Sequence, residues 1–123
     1  SLIVGQGAKV AVYPSQLSIY RGKRDTIGIG INNVIGSDKT FVINIKVAKF
    51  INASDEEETF DPSLIKVIYL PSYTVKNNDR VIAPVQIQIA GAARYGTYAL
   101  DASVTYDGMT YGDNVYKIYV KVL

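Results

Sequence analysis

The carboxylates carry whatever acid–base chemistry this chain can do, because its 123 residues include no histidine and no cysteine. Without imidazole or thiolate there is no Ser-His or Cys-His nucleophile pair and no nitrogen–sulfur zinc site. The densest acidic stretch is Asp55-Glu56-Glu57-Glu58, with Asp61 close behind. Calcium takes six to eight oxygen ligands, but consecutive carboxylates cannot all converge on one ion, and the spaced Asp-x-Asn/Asp-x-Asp-Gly pattern is missing. We therefore read the run as a solvated loop extended by its own repulsion, and expect no metal or other cofactor. Glycoside hydrolysis needs two carboxyl groups facing each other in a cleft, one with a raised pKa. Asp101 falls on the outer face of an expected strand, while Asp107 and Asp113 fall in glycine turns, where Asp serves its own backbone. The reading is a non-enzyme. Asn52-Ala53-Ser54 is an acceptor sequon, which makes Asn52 a candidate glycosylation site.

Ten tyrosines are the strongest compositional bias. Tyrosine is amphipathic and enriched at interfaces, and it also fills half-buried strand positions. Tyr106, Tyr111, Tyr116 and Tyr119 fall in the last hairpin, with Tyr119 between Lys117 and Lys121 on an outward face. Val42 and Asn44 face outward from the strand Thr40 to Lys49, and Ala99, Ser103 and Thr105 from the strand Thr97 to Tyr106. If these strands lie side by side, they present a flat, small-residue, weakly apolar face with few charges, suited to a protein partner. The candidate interface is therefore Val42, Asn44, Ala99, Ser103, Thr105, Lys117, Tyr119 and Lys121.

The elements that must position these residues show period-2 alternation almost throughout. Expected strands are Ala8 to Tyr13, Gln16 to Tyr20, Asp25 to Asn33, Thr40 to Lys49, Leu64 to Leu70, Tyr73 to Lys76, Arg80 to Ile89, Thr97 to Tyr106 and Val115 to Val122. Phe41, Ile43, Ile45 and Val47 share an inward face, as do Ile27, Ile29 and Ile31; Gly28 and Gly30 lie on the other side, leaving room for close approach. Pro84 marks an edge or a bulge. Ala90 to Arg94 has room for one helical turn, and Asp107-Gly108 is a two-residue hairpin signal. Nearly half of the residues (48%) are apolar and 20% are charged, which fits one globular domain over 1–123. The formal charge of +2 is too small for a nucleic-acid footprint. No apolar run reaches membrane-spanning length, and Ser1 to Gly7 lacks the pattern of a signal peptide, although an anchor upstream is compatible with the reading. The fold class is all-β: an antiparallel sandwich of seven to nine strands.

Three segments resemble the immunoglobulin-like domains of prokaryotic cell-surface proteins. Tyr13-Pro14-Ser15-Gln16-Leu17-Ser18-Ile19-Tyr20-Arg21-Gly22 is similar to their opening, and Thr26-Ile27-Gly28-Ile29-Gly30-Ile31-Asn32-Asn33 to their second strand. Arg94-Tyr95-Gly96-Thr97-Tyr98-Ala99-Leu100 resembles their penultimate strand, which implies a corner tyrosine at Tyr98. The chain is similar to sandwich modules attached to surface glycosidases and to the soluble domains that anchor archaeal motility filaments (archaella). It departs from antibody domains in lacking the cysteine pair and the core tryptophan. The resemblance implies an extracytoplasmic immunoglobulin-like module that binds another envelope or surface-layer (S-layer) protein or a second copy of itself as a homodimer. The alternative is a carbohydrate-binding or spacer module of a larger surface hydrolase. A pilus-assembly chaperone would need a second domain.

Overall fold

The computed structural model describes residues 8–123; the reading of Ser1 to Gly7 lies outside them. Eleven strands form: β1 Val10–Tyr13, β2 Gln16–Ile19, β3 Arg24–Asn32, β4 Lys39–Asn52, β5 Glu57–Glu58, β6 Ile65–Ile68, β7 Ser72–Val75, β8 Arg80–Ile89, β9 Gly96–Tyr106, β10 Met109–Thr110 and β11 Tyr116–Val122. The two extra elements beyond the expected nine, β5 and β10, are two-residue ladders too short for alternation to reveal. One sheet runs β1-β3-β8-β6; the other runs β2-β11-β9-β4-β5, with β7 also on β4 and β10 on β9. All pairings are antiparallel except β2 on β11. The chain crosses between sheets at Pro14, where β1 ends and β2 begins, and the result is an immunoglobulin-like antiparallel β-sandwich.

The core lies between the sheets because inward positions are apolar on both. Ile27, Ile29, Ile31, Val85 and Ile87 from one sheet meet Phe41, Ile43, Leu100, Val104 and Ile118 from the other, all at most 2% exposed. The expected inward faces of β3, β4 and β9 hold. Pro84 sits opposite Gly28, in an interior strand rather than at a bulge. Its missing N–H is tolerated because the β8 ladder with β6 covers only Gln86 to Ile89, so that side of residue 84 is unpaired. Ala90 to Ala93 closes as a hydrogen-bonded turn, not a helix. Asp107 and Gly108 both have positive φ, 48° and 75°, as a two-residue hairpin with matched twist requires.

One register change alters which side chains the larger sheet presents. In β4, Val47 pairs with Leu100 and Lys49 with Ala99, so Ala48 is an extra residue at a bulge. Beyond it the parity reverses. Lys49 turns outward, and Phe50 turns into the core at 1% exposure, where its ring lies 4.8 Å from that of Tyr98.

Candidate functional site

The candidate interface residues do come together on the outer face of the larger sheet. Val42 pairs with Thr105 and Asn44 with Ser103. Asp101 pairs with Lys46 on one side and Lys117 on the other, while Ala99 lies between Lys49 and Tyr119, and Lys121 is opposite Thr97. Val42 and Tyr119 are 44% and 38% exposed. Two features differ from the expectation. Ala99 is fully buried, since a methyl group between two long neighbours is covered by them. The face is also not charge-poor: Lys46 and Lys117 flank Asp101, while Lys49 and Lys121 stand opposite Ala99 and Thr97, with Lys49 placed there by the bulge. Asp101 accepts from Lys117 Nζ at 2.6 Å, and that bond holds the lysine above its ordinary pKa.

An uncharged patch lies on the opposite sheet. Cross-strand rows on the outer side of β1, β3, β8 and β6 read Ala11–Gly30–Ile82, Tyr13–Gly28–Pro84 and Thr26–Gln86–Ile68. None of these residues is charged. Tyr13, Ile68 and Ile82 are 61%, 45% and 47% exposed, and Pro84 is exposed beside them. The glycines keep the middle of the face flat. Gly28 and Gly30 carry the signal for this face in the sequence, but period-2 alternation cannot attach Tyr13, Ile68 and Ile82 to them.

The remaining candidates have local duties. Asn52 is half-buried: its Nδ2 donates to Glu58 at 2.9 Å, and its Oδ1 accepts from the backbone N–H of Ser54 and Glu56. The sequon amide is thus held inside its own loop. Glu58 also accepts from Arg94. Asp61 accepts from both the N–H and the hydroxyl of Ser63, which keeps its carboxyl below the ordinary value and caps the short 3-10 turn Pro62–Leu64. These acidic side chains point to separate partners, while Asp55, Glu56 and Glu57 are exposed.

Of the four hairpin tyrosines, Tyr119 alone is exposed. Tyr111 is 2% exposed, and its hydroxyl donates to Asn32 O at 2.6 Å and accepts from Val34 N–H at 3.1 Å. The hydroxyl tie from a sheet to a loop that a corner tyrosine at Tyr98 implies is therefore made by Tyr111. Tyr98 instead packs between Phe50 and Phe60, its ring 5.7 Å from the latter.

No protein-family model and no curated protein sequence matches this chain. Solved structures do. A family 123 glycoside hydrolase from Clostridium perfringens aligns at a TM-score of 0.64 and 16% identity, over 88% of this chain and 22% of the hydrolase. The ASH/PapD-like domain 7 of human CEP192 aligns at 0.64 and 9% identity, over 94% of this chain and 85% of that one. Domains 4 and 5 of the S-layer protein SbsC align at 0.53 and 13% identity, over 93% and 44%. The likeness is one of fold, that of PapD-like and immunoglobulin-like sandwiches. The chain spans about a fifth of the hydrolase it matches. Among the described residues, no helix is long and apolar enough to cross a membrane.

Proposed function

We propose that this chain is a non-catalytic, extracytoplasmic protein-binding module of a cell-surface assembly. The observation that carries the reading is the patch of three uncharged central rows on the outer face of the β1-β3-β8-β6 sheet, with Tyr13, Ile68 and Ile82 about half exposed. Burying the exposed half of each such side chain against a partner contributes on the order of 1 kcal/mol, and no charge there needs desolvation. Glycines in the middle of the face let a second surface approach closely. The likeness to an S-layer protein supports an envelope setting, and the resemblance to archaeal filament anchors makes envelope anchoring its most specific form. The partner is another envelope protein or a second copy.

A second reading, an accessory module of a larger surface hydrolase, is favoured by the glycoside hydrolase of which a matching domain forms 22%. One experiment separates the readings. The immobilised chain is offered envelope extract and, in parallel, a glycan array, as wild type, as Ile68→Lys with Ile82→Lys, and as Val42→Lys with Tyr119→Glu. We expect a defined envelope protein, or the chain itself in sedimentation, to bind and to be lost only in the first pair. Loss only in the second pair would move the contact to the other sheet. Glycan binding without protein capture would replace the reading by the hydrolase one.

A further inference from the structure

Below the apolar rows, the same outer face ends in a cleft of about 550 Å³ at the end of the sandwich. Its floor is set by register: Arg24 and Lys66 both pair with Gln88, from opposite sides, and all three side chains point outward. In-register neighbours have Cβ atoms roughly 5 Å apart, so the two cations flank the glutamine within reach of one small group. Lys23 adds a third cation from the turn before β3, and Ser63 stands at the rim.

No carboxylate lines the cleft, and none of its three cations belongs to an ion pair among the described residues. The acidic neighbours in the chain have hydrogen-bond partners other than these cations. Asp25 accepts from the N–H of Thr26, and Asp61 from Ser63. Gln88 Nε2 donates to Gln86 at 2.8 Å, which orients the amide and leaves its second hydrogen available. Three like charges around a concave surface repel one another until a counter-charge enters, and concavity focuses their field. A doubly charged oxyanion offsets more of that repulsion than a single carboxylate, and it accepts the arginine fork and the lysine point charges together.

We propose that this cleft binds a phosphate-class oxyanion, held by Lys23, Arg24 and Lys66 with Gln88 as the neutral donor. The site lies at the charged end of the sheet and does not rest on the protein-contact reading. The phosphate can come from a soluble phosphorylated compound or from a lipid headgroup, and the same chemistry recognises both.

The test is titration of the full chain with inorganic pyrophosphate at low salt, followed by amide NMR. We expect saturable shifts at Gly22 to Arg24, Lys66 and Gln88, with affinity falling as salt is raised. Arg24→Gln with Lys66→Gln should weaken binding by about tenfold or more, since two charge-assisted contacts are lost. Both side chains are exposed, so the variant should keep its melting temperature. Lys117→Gln with Lys121→Gln, on the other sheet, should leave binding unchanged. Co-sedimentation with phosphatidylcholine vesicles, with and without about 30% phosphatidylglycerol, identifies the source. Capture that needs both the anionic lipid and Arg24 and Lys66 assigns a headgroup, and pyrophosphate binding without capture assigns a soluble phosphate. Absence of saturation by about 10 mM pyrophosphate, a concentration that still detects a weak phosphate contact, would overturn the proposal. So would shifts spread equally over the lysines of both sheets, or full binding by the Arg24 and Lys66 variant.

Discussion

Tyr111 shows how much one hydroxyl can do when both of its partners are backbone groups. It closes the gap where β3 has ended, at Asn32 and Val34, from a position just after β10 on the other sheet. Its ring packs 4.9 Å from Phe41 and edge-on to Tyr106, so the phenol is held by shape as well as by hydrogen bonds. Asn33, fully buried beside it, donates to the carbonyls of Ser37 and Val75 and accepts from the N–H of Ile35. Tyr111→Phe keeps the ring and removes the tie. It should cost about 1–3 kcal/mol in urea denaturation, because a carbonyl and an N–H in a tight site are left unpaired. A loss below about 0.3 kcal/mol would mean that water replaces the hydroxyl without penalty. The penultimate-strand motif pointed to Tyr98 for this role. The motif could show a tyrosine near a corner, but not which phenol lies beside free backbone groups.

At the scale of elements, β4 and β9 are the long central strands of the larger sheet, and their junction leaves no room for a side chain at Gly96. Its φ is +152°, and a Cβ there would stand 2.4 Å from Ile51 O and 2.6 Å from the Phe50 ring. Gly96→Ala therefore forces the start of β9 away from the end of β4, where Asn52 pairs with Gly96. We expect a loss of more than about 2 kcal/mol, read as a lowered denaturation midpoint with the slope unchanged. Gly108→Ala is the comparison: its φ is also positive, but nothing lies within 4 Å of the added carbon, so its cost should be about 1 kcal/mol, the conformational part alone. Equal losses at the two positions would show that steric contact at Gly96 contributes nothing.

For the whole molecule, the ionisable groups predict a stability plateau. With no histidine or cysteine, no side chain has an ordinary pKa between those of the carboxylates and those of tyrosine and lysine. Burial pushes the Tyr98 and Tyr116 hydroxyls up, and hydrogen bonds to Asp107 and Asp101 hold Lys39 and Lys117 above their usual value. A folded-state pKa raised above the unfolded one contributes stability below the unfolded value, and that stability is lost as pH rises through the folded value. All four groups therefore weaken the fold in the same direction above about pH 10. Asp61, held low by Ser63, works at the other end: its contribution is present above the ordinary carboxylate range and disappears as pH falls below about 4. Melting temperature measured against pH should be flat from about pH 6 to pH 9 and fall on both sides. A midpoint of change near neutral pH would contradict this set of groups.

The sequence alone determined what depends on neighbours in the chain. Period-2 alternation identified the long strands and the inward faces of β3, β4 up to Val47, β8 and β9, because adjacent side chains on a strand must point to opposite sides. Asp107-Gly108 identified its turn, since few residue pairs accept two positive φ angles. The absence of imidazole and thiol already bounded the chemistry. Tertiary structure decided everything that depends on which strand lies beside which, and in what register. Ala48 bulges only against β9, and that one residue turns Lys49 outward and Phe50 inward. Ala99 is covered only because Lys49 and Tyr119 flank it. The uncharged patch draws one to three residues from each of four strands between Ala11 and Gln86, and the basic cleft joins Arg24 to Lys66 through Gln88. Surfaces of this kind are assembled across strands by the hydrogen-bond ladder, so a pattern read along the chain contains their parts without their arrangement.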